Sequence, residues 1–230
     1  MISISAPEGI PEIKAGDDIA DVIAIHCELQ NRDVVVVTSK IVSKAEGSVV
    51  ELDRRDDLSF EKLVLSQAKR VLRKRGNLLI TETHHGFICA NSGIDLSNVD
   101  EGYAVLLPRD PDLSARKIQK KLTSKTGLIL GVVISDTFGR TWRRGVTDVA
   151  LGCAGIAALQ DLRGTPDSRG RTLVATEIAV ADEIAAAAEL AKPKAGRRPI
   201  VVVRGIDEKL FRKSSIADEV IRNASEDLFR

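Results

Sequence analysis

Aromatic side chains are nearly missing from this chain: five Phe, one Trp and one Tyr amount to 3% of 230 residues. So few rings argue against a stacking platform for single-stranded nucleic acid. An excess of charge of either sign is missing too, since 34 basic residues face 33 acidic ones and the net charge is +1. No global field exists to hold nucleic acid or a membrane surface, so any phosphate recognition has to be local. Cysteine is scarce. Cys27, Cys89 and Cys153 are odd in number, widely spaced and without a CxxC pair. That excludes a disulfide framework and a zinc ribbon and suits a reducing compartment. Each lies among apolar or small residues and reads as a small buried hydrophobe. No apolar run approaches membrane-spanning length, and the N-terminus lacks a basic stretch followed by an apolar one. The expected setting is therefore the cytoplasm, with no membrane and no nucleic acid as partner. Neither a Walker A loop nor a GxSxG nucleophile elbow occurs anywhere.

What is present is ordinary in bulk, with 43% hydrophobic and 29% charged residues, enough to bury a substantial core. Two segments stand out. Asp95 lies in Asn91-Ser92-Gly93-Ile94-Asp95-Leu96-Ser97-Asn98, and Asp136 in Ile134-Ser135-Asp136-Thr137-Phe138-Gly139-Arg140, followed by Trp142-Arg143-Arg144-Gly145. Each aspartate comes just past a strand-like run among hydroxyls and glycines. Alone, either reads as a strand end opening a turn. Two such segments in one chain favour a hard-cation site, because Mg²⁺ and Mn²⁺ take oxygen ligands through one or two carboxylates plus substrate phosphates. The arginines after Asp136 supply charge for a phosphorylated ligand, since guanidinium forks match phosphate oxygens.

Hydrophobic spacing predicts a first helix through Ile19, Val22, Ile23 and Cys27, with His26 on its apolar side, and a buried strand over Val34–Val37. A long helix is expected from a Ser59 cap through Phe60, Leu63, Val64, Ala68, Val71 and Leu72 to Gly76. Strands are expected at Leu78–Thr81, Phe87–Ala90 and Tyr103–Leu107. A basic-faced helix follows through Ala115, Ile118 and Leu122. The next strand, Leu128–Ile134, delivers Asp136 at its end. Residues 145–156 fit helix or strand. A helix over Thr176–Ala191 with Thr176 as N-cap precedes a strand at Ile200–Val203. Ser215 with Asp218 suggests a capping box for a last helix carrying Val220, Ile221 and Leu228. Strands and helices mix without regular βαβ alternation and without an obvious linker. The expectation is one α+β domain over residues 1–230, with mixed and antiparallel sheets and helices in several subdomains.

The segment Thr38-Ser39-Lys40-Ile41-Val42-Ser43-Lys44-Ala45-Glu46-Gly47 follows the valine strand directly. Its hydroxyls and ammonium groups can converge on a nucleotide's phosphates, or form a plain polar turn. His84 and His85 are adjacent, so on a strand they point to opposite faces and do not share a metal. Asp182-Glu183 diverge on a helix and read as solvated or interface charges.

These pieces together resemble the coenzyme F420-0:L-glutamate ligase family, the gamma-glutamyl ligases that complete a deazaflavin coenzyme. The resemblance runs from Gly9-Ile10-Pro11 to Val203-Arg204-Gly205. It is carried by Ser39 with Ser43-Lys44-Ala45-Glu46-Gly47, by His85-Gly86-Phe87, by Gly93-Ile94-Asp95 with Ser97-Asn98, by Asp136 to Arg140, and by Val180-Ala181-Asp182-Glu183. It implies a GTP-dependent amide ligase that joins the F420-0 carboxylate to L-glutamate, gamma-linked for further residues, through an acyl phosphate. Ile10, Pro11, Glu12, Ile13, Ser39, Lys40, Lys44 and Asn98 match nucleotide-contacting positions, with Lys194 and Gly196 in the later loop. Asp95, Asp136 and Thr137 match metal positions. Arg140 and Arg143 are the candidates for the acceptor, with Gly139 permitting a tight turn that keeps Arg140 near Asp136. The implied cofactors are Mg²⁺ or Mn²⁺ with GTP as co-substrate, and K⁺ is a further candidate; the implied assembly is a homodimer. No catalytic base is assigned, and no fused nitroreductase-like domain is present. One segment departs from the family. A Met-Gly dipeptide and further glycines are expected before the last valine-rich strand, and this chain has Lys192-Pro193-Lys194-Ala195-Gly196-Arg197-Arg198-Pro199. That change keeps two alternatives open: a paralogous amide ligase with another phosphorylated acceptor, and a nucleotide-binding regulator without ligase activity.

Overall fold

The computed structural model describes residues 1–53, 56–97, 99–193 and 196–228. In chain order the elements are β1 (Ser3–Ser5), α1 (Ile19–His26), β2 (Val34–Thr38), α2 (Ser39–Ala45), β3 (Val49–Glu51), α3 (Asp57–Gln67), β4 (Ala68–Arg75), β5 (Leu78–Thr83), β6 (Ile88–Ala90) and β7 (Tyr103–Val105). They continue with α4 (Pro111–Thr126), β8 (Gly131–Gly139), β9 (Val146–Ala154), β10 (Gln160–Asp161), β11 (Glu177–Ile178), α5 (Val180–Glu189), β12 (Ile200–Arg204) and α6 (Ile216–Glu219). The architecture is α+β. A five-stranded sheet has the order β1-β12-β2-β8-β9, with β2 and β8 parallel and the other pairs antiparallel. A three-stranded antiparallel sheet, β4-β5-β6, and two short ladders stand beside it. Among the described residues no helix is long and apolar enough to cross a membrane.

The valine runs of β2 and β12 form the centre of the large sheet because helices cover both of its faces, leaving no side for polar residues. Val35, Val37, Val132 and Ile134 face one core with Ile19, Ile23, Val42, Ile118 and Leu122 from α1, α2 and α4. Val34, Val36, Val133 and Val201 face the other with Ala181, Ile184, Ala185 and Ala188 of α5 and Ile216 of α6. Helix α4 has the expected start: Asp110 accepts from the Leu113 N–H, and Pro111 fills the first turn, where its missing donor costs nothing.

The outer strand β9 is closed by carboxylates rather than by another strand. The N–H of Asp148 donates to Glu189 Oε2 at 2.9 Å, that of Ala150 to Asp182 Oδ1 at 2.8 Å, and that of Cys153 to Asp112 Oδ1 at 2.8 Å. The first turn of α4 lies so close that a Cβ on Gly152 would sit 2.3 Å from the Pro111 carbonyl group. Buried Asp112 also accepts from the N–H groups of Ile216 (2.9 Å) and Ala217 (3.0 Å), which ties α6 to the sheet.

Several expectations from spacing are corrected here. The long helix stops at Gln67, its cap is Asp56 rather than Ser59, and residues 68–75 are strand β4. Gly76-Asn77 is the two-residue loop of a β4–β5 hairpin, with Gly76 at φ +57°. That turn and the partner strand outcompete the helical stripe through Val71 and Leu72. The helix expected from Thr176 begins at Val180, because Glu177–Ile178 pairs with β10, and Asp182 and Glu183 fall in its first turn. Residues 146–154 are strand. Ser215 is the N-cap, its hydroxyl accepting from the Asp218 N–H and donating to the Asp218 carboxylate, but its helix ends at Glu219 and does not carry Val220, Ile221 or Leu228. His26 and Cys27 are half-buried at the end of α1, while Cys89 and Cys153 are buried.

Candidate functional site

The parallel pairing of β2 and β8 ends with Thr38 directly opposite Ser135. Ligands of α/β sheets collect outside such carboxyl ends. The chain turns from β2 into α2 there, so the segment from Ser39 to Lys44 is helical rather than a plain turn. Strand β8 runs on to Gly139, which puts Asp136 within the strand and not at its end.

Asp136 is the centre of the arrangement. Its carboxyl accepts from the Thr137 N–H at 2.7 Å and interacts with the Ser39 hydroxyl. Burial, with Asp95 and Asp148 nearby, pushes it up to about 6, against the pull of those two donors. Asp95 stands across from it, ion-paired to Lys40 Nζ at 2.5 Å. The same ammonium donates to Ser97 O and Oγ, both at 2.8 Å, and the Ser97 N–H donates to Asp95 Oδ1 at 2.6 Å. Burial pushes the Asp95 carboxyl up, but Lys40 and Ser97 together hold it below the usual range. Lys44 pairs with Glu12, so the 10–13 segment and α2 meet. Ile13 is buried in the core and Ile10 packs on it, which leaves the backbone, Pro11 and Glu12 of that segment facing outward.

Behind Asp136 lies a pair that sequence reasoning missed. Asp148, on β9 directly opposite Thr137, accepts from Ser135 Oγ (2.9 Å), Thr137 Oγ1 (2.7 Å) and Lys192 Nζ (2.5 Å). Side-chain exposure is 9% for Lys192 and 3% for Asp148. Burial pushes the Asp148 carboxyl up, and Lys192 with the two hydroxyls brings it below the ordinary value. The departing loop therefore sends a lysine inward, and through Asp148 it fixes the Thr137 hydroxyl. An aspartate directly before the apolar run 149–154 was the available signal.

The structure thus brings together Ser39, Lys40, Asp95 and Asp136, with Glu12 and Lys44 beside them, while Thr137 follows Asp136 with its hydroxyl turned to Asp148. It does not bring Arg140 or Arg143 to Asp136. Strand β8 continues through Gly139 with no tight turn, so Arg140 lies about 13 Å along the strand from Asp136. Arg140 and Arg143 stand at the exposed β8–β9 tip beside Trp142, and Arg140 Nη2 donates to the Arg144 carbonyl at 2.9 Å. Gly196 closes a turn on the Pro193 carbonyl at 2.7 Å. Asn98 and Lys194 lie outside the described residues. His85 is structural, its Nε2 donating to the carbonyls of Pro108 (3.0 Å) and Arg109 (3.1 Å).

Among the described residues no three His, Cys, Asp or Glu side chains form a group able to hold a metal. The donors that converge are the carboxylates of Asp95 and Asp136, oxygen ligands that fit a hard cation completed by phosphate oxygens and water better than zinc.

A family model described as F420-0:Gamma-glutamyl ligase matches residues 9–205. Curated relatives named Coenzyme F420:L-glutamate ligase align over nearly the whole chain. The protein of Methanothermobacter thermautotrophicus is 40% identical over 100% of this chain and 99% of its own length. That of Methanopyrus kandleri is 38% identical over 95% and 94% respectively. That of Archaeoglobus fulgidus is 38% identical over 100% and 96%.

Proposed function

This chain belongs to the F420-0:gamma-glutamyl ligase family, and from that premise we propose that it couples GTP cleavage to an amide bond between the F420-0 carboxylate and L-glutamate. The observation that carries the reading is the meeting of Asp95 and Asp136 where the parallel β2–β8 pairing ends, with Ser39, Lys40 and Lys44 around them.

A carboxylate is a poor electrophile. Transfer of the γ-phosphoryl group to a carboxylate oxygen breaks the bond to the β-phosphate, releases GDP and leaves an acyl phosphate. The glutamate amine then attacks the carbonyl carbon, loses a proton and expels inorganic phosphate. Such a transfer needs positioning and charge more than covalent help from the protein.

Asp95, Asp136 and Thr137 would hold Mg²⁺ or Mn²⁺. Burial raises the Asp136 carboxyl, with a smaller push from Asp95, and a cation between the two would relieve both costs. When bound, the metal supplies neutralisation of the charge spread over the phosphate oxygens. Lys40 neutralises Asp95 in the free protein and can turn to a phosphate oxygen once Asp95 has another cationic partner. Lys44 and the backbone of residues 10–13 line the approach for the rest of the nucleotide. Thr137, held by Asp148, presents its oxygen in a fixed direction.

The test is to incubate the purified protein with F420-0, L-glutamate, GTP and Mg²⁺, following phosphate release and the mass of the coenzyme. Phosphate release that requires both acceptor and glutamate, with glutamyl addition to F420-0, is the expected result. Phosphate release supported by another acid and not by F420-0 would assign the chain to the paralogous ligase. Nucleotide binding without any release would make it a regulator.

A further inference from the structure

A cleft of about 250 Å³ opens beside the candidate site, lined by Phe87, Phe138, Val149, Asp182, Ile221 and Arg222 among others. Two features tie it to the chemistry. Phe138 is two residues beyond Asp136 on an unbroken stretch of β8, so both side chains leave the same face about 7 Å apart. Val149, in its wall, is the direct cross-strand partner of Asp136. The cleft therefore begins where the candidate carboxylate ends.

Its chemistry is that of a site for a flat ring. The chain has only five Phe, and two of them meet here edge to face, their centroids 6.2 Å apart. Phe87 is braced from behind by the His85 ring, stacked at 5.6 Å, and His85 is anchored to the carbonyls of Pro108 and Arg109. Rings fixed in this way offer contact area at little entropic cost. Asp182 adds a polar edge. One of its oxygens is committed to the Ala150 N–H at 2.8 Å, and the other remains for a donor in the cleft. Burial has already raised this carboxyl, so a ring N–H would meet an acceptor with few competing partners.

We propose that this cleft holds the deazaflavin ring of the acceptor against Phe138 and Phe87, with Asp182 accepting from a ring N–H. This rests on the ligase reading above. The spacing fits it, because a sugar-alcohol chain and a phosphodiester separate that ring from the reacting carboxylate. The ring must therefore bind at a distance from Asp136 and not over it.

Ring fluorescence gives the binding of two probes, F420-0 and its ribityl fragment lacking the phospholactyl tail, to the wild type and to Phe138→Leu, Phe87→Leu and Asp182→Asn. Thermal melts verify that each variant is folded. Both probes should bind the wild type, and each Phe variant should bind them at least tenfold more weakly. Asp182→Asn keeps an oxygen for Ala150 but turns an amide N–H toward the ring, and should also weaken both. In turnover assays the KM for F420-0 should rise by the same factor while the KM for GTP moves less than twofold, a split that a merely structural role would not give. Wild-type affinity for the ribityl fragment in all three variants would overturn the proposal, as would failure of F420-0 to bind the wild type. Binding of both probes, lost in the variants but never accompanied by GTP cleavage, would sink the ligase reading and leave the cleft assigned.

Discussion

Lys192→Met takes the ammonium away from a carboxylate that has almost no access to water. Asp148 and Lys192 are 3% and 9% exposed, and their contact is 2.5 Å. Deleting one member of a buried pair costs about 3–5 kcal/mol, because the other charge stays behind unpaired. Two features place this case near the lower end of that range. Asp148 keeps the hydroxyls of Ser135 and Thr137, and the methionine refills most of the space of the lysine stem. A loss of about 3 kcal/mol is expected, equivalent to about 6–12 °C in Tm for a chain of this size. Asp148→Asn should cost a similar amount by stranding the ammonium. The double variant removes both charges, so its loss should fall about 2 kcal/mol or more below the sum of the singles. Urea melts of the four proteins with a common m value measure this directly. Single losses under 1 kcal/mol, or strict additivity, would refute the claim that the departing loop is anchored by a buried ion pair.

Asp112→Ala should cost about 3–5 kcal/mol by leaving the N–H groups of Cys153, Ile216 and Ala217 without their acceptor, and a change in the urea midpoint worth less than 1 kcal/mol would contradict it. Asp136→Asn keeps the shape at the site and removes its charge; ligation should fall by orders of magnitude with the melting temperature little changed, and a wild-type rate with Mg²⁺ present would exclude a metal role. Lys44→Ala should weaken GTP binding by about 1.5–3 kcal/mol in calorimetry, whereas an unchanged affinity would return this lysine to a purely structural pairing with Glu12. Burial pushes the thiols of Cys89 and Cys153 up to about 12, so at pH 8 only about one in ten thousand is the reactive thiolate. Iodoacetamide should label both only after unfolding, and rapid labelling of the native protein would show that they are not enclosed.

The elements most legible in the sequence were those whose burial leaves a pattern along the chain. Val34–Val37 and Ile200–Val203 are unbroken apolar runs because both faces of their sheet are covered, and Ala115, Ile118 and Leu122 mark one stripe of α4. The stripe through Val71 and Leu72 misled because eight residues can satisfy helical spacing and still pair with a neighbour, and here the Gly76-Asn77 turn decided for the hairpin. At the site, Ser39, Lys40, Asp95 and Asp136 were visible because each lies in a dense polar motif just past an apolar run. The Asp148–Lys192 pair was not, since its members are 44 residues apart and nothing in either segment points to the other. Arg140 was placed near Asp136 on the strength of Gly139, yet that glycine stays within the strand and carries the arginine outward.

The carboxylates of Asp112, Asp182 and Glu189 along β9 have a consequence for assembly. A bare outer strand is a template onto which another chain can add by backbone pairing, the usual route to edge-to-edge aggregation. Here the donors that such a chain would seek at residues 148, 150 and 153 are already taken, and an incoming strand would bring its own carbonyls against fixed negative charge. The opposite edge, β1, is only three residues long. The large sheet is therefore capped by side chains on one border and cut short on the other. A contact between copies of this chain along β9 is left to side-chain packing rather than to extension of the large sheet.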